Sequence, residues 1–380
     1  MRSARCGREL LDNPLLILSY LLMPDLKNTT NNKGHAMKPQ RPSPKLTALV
    51  ASLSLTTLLA ACGGGGGGGS TPTTSTTSST APTTTNTGTT ATPQYAAGSQ
   101  ELAALNQLNA MHQQCGFQTV SENTLLDQAA GNHMGYMADQ KTLTHFETVS
   151  ADPHYTGYYP SDRMTHVGYA VAGGNQATED YANSTTNIGG ALGVIGLASV
   201  PYHLSSIFYP LAETGVSYQA LNFGPANPAY TLLMDFGNNA SGTPAAPSFA
   251  NAPLTFPCSG TTGVDYESAS AENPTPYING QPVNLATQPI GTPITVVGNL
   301  NDTVLLNSGS LVGPSGNQTA LNLTDSSNDP NKTLAPFAAF AFPTNPLQPN
   351  TTYSVTLTGT DNGTPFNRNF SFITGSQGQF

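Results

Sequence analysis

The side chains able to do acid–base or metal chemistry are unevenly placed along this 380-residue chain. Six of its seven histidines (His112, His133, His145, His154, His166 and His203) fall between 112 and 203. Imidazole titrates nearest neutrality, so proton transfer or metal ligation belongs to that stretch. His133 lies on the apolar stripe of a predicted helix and reads as a hydrogen-bonded core residue. His112, His154 and His166 have no patterned partner and read as surface or loop residues. His145 and His203 remain as the candidate pair. Ser205 and Ser206 follow His203 without a Gly-x-Ser-x-Gly elbow, which argues against a hydrolase triad. Residues 63–69 are seven glycines with no strand before them or helix after, so they are not a phosphate loop.

The elements that must position the pair are partly legible. Ser99 can cap a helix whose Leu102, Leu105, Leu108 and Met111 recur every three residues and which Gly116 ends. A second helix over 123–140 carries Leu126, Ala129, Ala130, His133, Met134 and Met137 on one stripe. Residues 142–176 are too rich in Gly, Tyr and Pro for regular structure, and 177–209 read as weak helix interrupted by Gly189, Gly190, Gly193 and Gly196. Strands are expected over 215–220 and 230–236. Helices followed by strands indicate an α+β domain over 99–250. Beyond it, short strands are expected over 293–300, 303–306, 319–323, 336–342, 352–358 and 368–374, with Asp361-Asn362-Gly363 as a turn signal. Residues 251–380 therefore read as a β-sandwich of immunoglobulin-like type.

The series Leu126, Ala129-Ala130, His133, Met137, Leu143-Thr144-His145-Phe146, Asp162-Arg163, Gly168-Tyr169, Pro201-Tyr202-His203, Pro210 and Glu213-Thr214-Gly215-Val216 resembles the CAP superfamily. That superfamily comprises cysteine-rich secretory, antigen 5 and pathogenesis-related 1 proteins, and the chain is most similar to its bacterial SCP-like branch. The resemblance covers about 99–240. It implies an α-β-α sandwich with a central cleft where two histidines, here His145 and His203, meet one or two glutamates. Gly174 stands where the family has a cleft glutamate. Glu179 would reach that space only through a rearranged loop. The resemblance thus implies a cleft of His145, His203 and Glu179 in which His145 and His203 can hold a divalent metal such as zinc, although firm zinc sites use three or four protein ligands. Arg163, the only arginine of this domain, is expected to tie a loop to a carboxylate.

Composition sets the surroundings. Charged residues are 9% of the chain, and after Cys62 four basic residues stand against 18 acids. Such a surface repels phosphate backbones, which excludes nucleic acid as the expected partner. Residues 46–61 are uncharged and mostly apolar, preceded by Lys38, Arg41 and Lys45 and followed by Cys62. This reads as a lipoprotein signal over 37–61 with lipidation at Cys62, after an extension over 1–36 that reads as a misassigned start. Residues 62–98 read as a disordered Gly/Thr/Ser tether. Cys115 and Cys258 are expected to pair in an oxidising compartment. The leading functional reading is an exported, outer-membrane lipoprotein, held to the membrane through Cys62, that binds a lipid or small apolar ligand without catalysis. A metal-dependent hydrolase using His145 and His203, and a scaffold that contacts another envelope or surface protein, are the alternatives.

Overall fold

The computed structural model describes residues 87–224, 228–376 and 378. The signal, Cys62 and most of the expected tether lie outside the described residues. Ser99 Oγ accepts from Leu102 N at 3.1 Å and starts α1 (Gln100–Gln114), which buries Leu105, Leu108 and Met111. The cap satisfies a donor that has no partner inside the helix. After β1 (Ser121–Glu122), Asn123 caps α2 (Thr124–Gln140) through Leu125 N and Leu126 N. Pro160 opens the short α3 (Pro160–His166) inside the stretch expected to be irregular. A proline at the first helical position gives up a donor that would be unpaired anyway.

The weak helix expected over 177–209 is corrected. Its first part is β2 (Ala177–Ser184), and only then come α4 (Gly190–Ala198) and α5 (Pro201–Ile207). β2 pairs antiparallel along its whole length with β4 (Pro228–Gly237), which pairs on its other side with β3 (Glu213–Asn222). Partnering of this kind overrides the helical preference of Ala and Glu. The sheet order is β1-β3-β4-β2, with β1 and β3 parallel. Leu232, Met234 and Phe236 of β4 pack with α1 and α4 in one core, while Leu233 packs with Ala130, Met134 and Met137 of α2 on the other face. Helices thus cover both sides of the sheet. Gly215 permits the closest approach, for a Cβ there would stand 2.0 Å from the carbonyl carbon of Leu126.

The second half is all strand. It comprises β5 (Leu254–Phe256), β6 (Thr262–Val264), β7 (Glu267–Ser268), β8 (Tyr277–Ile278), β9 (Gln281–Pro282), β10 (Ile290–Gly291), β11 (Ile294–Val297), β12 (Val304–Val312), β13 (Gln318–Ala320), β14 (Asn322–Asp325), β15 (Ala338–Phe342), β16 (Thr352–Asp361) and β17 (Thr364–Thr374). A four-stranded sheet (β14-β15-β11-β5) and a five-stranded one (β13-β12-β16-β17-β6) share a core of Val296, Ala339, Val355, Leu357 and Phe372. Asn362 and Gly363, both at positive φ, make the tight turn between β16 and β17.

The halves are packed as one unit. Phe117, Phe208, Phe249, Phe256, Phe340 and Phe342 belong to a single core, and the rings of Phe208 and Phe256 stack with centroids 4.7 Å apart. Cys115 and Cys258 form a disulfide with Cα atoms 5.5 Å apart. The tether expected over 62–98 ends earlier than composition suggested. Thr89 bridges to Asn123, Thr90 N bonds Glu122 O at 3.1 Å, and Tyr95 donates to Asp127. Backbone groups here find acceptors on the folded unit, which compensates for the low apolar content of the segment.

Candidate functional site

β2 is an edge strand, so its two faces meet at the open side of the sheet. Glu179 points to the α2 face and Asp180 to the α5 face, because successive strand residues alternate. His145 enters from the loop after α2, and His203 from α5. Their ring centroids lie 6.3 Å apart, with the Tyr181 ring 4.5 Å from that of His145. The structure therefore brings together His145, His203 and Glu179. Glu179 meets His145 from a regular strand, so the loop rearrangement expected for it is not needed. Gly174 stays in the preceding loop at φ +77° and adds no side chain.

Each imidazole is oriented by a buried carboxylate. His145 Nδ1 bonds Glu179 Oε1 at 2.9 Å, and His203 Nδ1 lies 3.2 Å from Glu272 Oε1. Neither Nε2 has a hydrogen-bond partner among the described residues. The Glu179 carboxylate is also bonded by the Arg163 guanidinium, which donates further to the carbonyls of His145 (3.1 Å) and Tyr158 (3.3 Å). Arg163 thus ties the His145 loop to a carboxylate, as its isolation in the sequence suggested.

His133 is buried and hydrogen-bonded as expected, yet it belongs to the same network. Its Nδ1 bonds Glu147 Oε1 at 3.0 Å, its Nε2 bonds the carbonyl of Thr144 at 2.7 Å, and Glu179 Oε1 lies 3.7 Å away. His112 is corrected: it is 2% exposed, held between the carbonyls of Gln118 and Ile207, and stacked on Phe208. Burial lowers its pKa, since the cation would lose hydration. His154 and His166 are exposed. His154 pairs with Asp139 at 2.8 Å beside Asp152, the one place among the described residues where three ligand-type groups lie mutually close.

The site is rich in carboxyl groups, and burial sorts their charge. Burial raises the pKa of Glu179, but the charge of Arg163, then of His133 and His145, outweighs it and holds the carboxyl well below its usual range. Asp235, directly opposite Glu179 on β4, is pushed well up by burial and by the Glu179 charge. Asp180 rises to about 6 through burial, opposed by His203 and by the hydroxyl of Ser206. Burial would pull His203 down; the hydrogen bond to Glu272, with the charges of Asp180 and Glu272, moves it up instead.

Sequence reasoning missed Glu147, Asp180, Asp235 and Glu272. Asp235 was findable, as a lone carboxylate within the apolar strand Leu232-Leu233-Met234-Asp235-Phe236. Glu272 carries no local signal, because it enters from the other half of the chain.

No family model and no curated protein matches this chain. Among solved structures it is similar to an outer surface protein of Borrelia burgdorferi, at 13% identity over 37% of this chain and 92% of that one, with a TM-score of 0.30. A DUF4785 family protein of Legionella pneumophila is similar at 10% identity over 40% of this chain and 34% of that one, with a TM-score of 0.18. These scores are low, and the chemistry of the cleft has to be read from its own residues. Its carboxyls outnumber its fixed cations: Glu147, Glu179 and Asp235 lie about Arg163, while Asp180 and Glu272 lie on the His203 side. When such a ring is neutral, a carboxylate on Nδ1 keeps the proton there and the lone pair on Nε2, the arrangement by which histidines are presented to metals.

Proposed function

We propose that the chain is an exported lipoprotein of CAP type, anchored through Cys62, whose cleft binds a divalent cation through Nε2 of His145 and His203 and does not catalyse a reaction. The supporting observation is the pair of carboxylate-oriented imidazoles at the open edge of β2. Two imidazoles leave half of a tetrahedral zinc shell to water or to an incoming ligand, consistent with binding rather than a closed structural site. The polar character of the site favours a small polar ligand over the lipid or apolar ligand expected from the sequence. The immunoglobulin-like reading of 251–380, and contact with another envelope protein, belong to the same proposal.

The experiment is Zn²⁺ titration by calorimetry of the exported chain, beside the His145→Ala/His203→Ala double variant. One-to-one binding by the parent and its loss in the variant support the reading. Equal binding by both overturns it. The anchor is tested separately by Cys62→Ser, which should move the protein from the membrane to the soluble fraction.

A further inference from the structure

We propose that Glu272, contributed by the strand-rich second half, is the positioning residue for His203, so that the cleft is completed only when both halves of the chain are packed together. The inference deepens the reading of His145 and His203 as cation ligands and rests on it.

The Glu272 side chain is wholly buried and lies 69 residues beyond the ring it meets. One of its oxygens, Oε1, accepts from Tyr202 N at 2.7 Å and from His203 N at 3.0 Å, and faces His203 Nδ1 at 3.2 Å. A single atom therefore fixes both the first turn of α5 and the ring carried on it. Its other oxygen, Oε2, is buried without a hydrogen-bond partner among the described residues. Capping alone would not select such a residue. A local Ser, Asn or Asp caps a helix without burying a carboxylate, and an unmet buried acceptor costs stability. The contact that helix capping does not explain is the one to Nδ1. An ionised carboxylate can only accept, so Nδ1 carries the proton, and in the neutral ring Nε2 is left with the lone pair.

His145 is held in the same way by Glu179, so the cleft contains two matched carboxylate–imidazole pairs. The first pair is built entirely within 99–250, and the second spans the two halves. The segment that delivers Glu272 is itself secured, since Asn331 Nδ2 donates to the Thr275 carbonyl at 2.8 Å and to the Tyr202 hydroxyl at 2.9 Å. Tyr202 in turn donates to Asp329. Asp180, the other carboxylate near His203, is engaged by the Ser206 hydroxyl.

The test uses the exported chain with ¹⁵N-labelled histidine at alkaline pH, where the imidazoles are neutral and the two tautomers have distinct nitrogen shifts. In the parent, His203 should be protonated on Nδ1; protonation on Nε2 overturns the proposal without recourse to any variant. Glu272→Leu, which removes the acceptor, should populate the Nε2–H form and weaken Zn²⁺ binding about 10–100-fold. Glu272→Gln keeps an acceptor oxygen and should retain the parental tautomer with a smaller loss of affinity. A folded Glu272→Leu protein with an unchanged His203 tautomer overturns the proposal. A shifted tautomer in a protein whose parent binds no Zn²⁺ supports the positioning role and removes the cation reading, so the two failures are separable.

Discussion

The Arg163 guanidinium bonds Glu179 Oε2, lies 3.8 Å from Glu147 Oε1 and donates to the His145 carbonyl, with all three charged side chains wholly buried, so one arginine ties the His145 loop to two carboxylates. Removing one partner of a buried pair leaves the other charge uncompensated in a medium that solvates it poorly. Arg163→Met should destabilise the protein by about 3–5 kcal/mol in urea unfolding. Arg163→Lys should recover only part of this, because an ammonium cannot reproduce the fork that reaches Glu179 and the two carbonyls together. A loss below about 1 kcal/mol for Arg163→Met, the range of an exposed pair, would contradict the assignment.

The Cys115–Cys258 disulfide closes a loop of 143 residues and joins the end of α1 to the residues just after β5. By the loop-entropy argument, Cys115→Ser/Cys258→Ser should cost about 4–5 kcal/mol, chiefly by releasing the unfolded chain. Comparison of denaturant midpoints with and without reductant is the measurement. Identical midpoints would mean that the shared aromatic core alone sets the coupling of the halves.

Asp127 supplies a pH dependence with a definite sign. Its carboxyl accepts from the Tyr95 hydroxyl and from Val216 N, and burial, with the nearby Glu122 charge, raises its pKa from 3.8 to about 7. Above pH 4 the unfolded chain gives up this proton while the folded chain keeps it. The stability Asp127 contributes is therefore complete below 3.8 and is lost as pH rises through about 7. Asp127→Asn should flatten the stability profile across that window, read from thermal unfolding at a series of pH values. A variant profile parallel to the parent's would refute the assignment.

Gly215 marks the closest contact of helix and sheet. Its missing side chain leaves room for the α2 backbone, with the Leu126 carbonyl carbon at 2.0 Å and Asp127 N at 2.1 Å from a Cβ built there. Gly215→Ala should cost about 3 kcal/mol or more, since backbone cannot yield as a side chain does. Gly173→Ala, where a Cβ meets nothing within 4 Å, should be close to neutral. Paired melting curves decide it, and comparable losses at both positions would count against the packing argument.

The local signals were sound where the deciding interactions are local. Ser99 caps the helix it was placed before, the helix expected over 123–140 is present with Asn123 as its cap, the Asn362-Gly363 turn joins the strands on either side, and Tyr353, Val355 and Leu357 form the buried face of β16. The same reasoning failed for 177–184, whose Ala, Thr and Glu become strand only because β4 offers eight residues of register. It failed for His112, which resembles a helix-end surface residue until Phe208 and the Ile207 carbonyl close over it.

Sequence by itself determined the α1 and α2 starts and the strand-rich second half, because capping, periodicity and turn formation act within a few residues of the chain; the thiol pair followed from cysteine count and compartment. Tertiary structure alone decided which carboxylates face the histidines. Glu179 and Asp235 meet through strand register, and Glu272 meets His203 through the packing of two halves; neither register nor packing is encoded by the immediate neighbours of those residues. The charge state of a buried group follows from what stands opposite it. The chemistry of the cleft is therefore a property of the assembled fold.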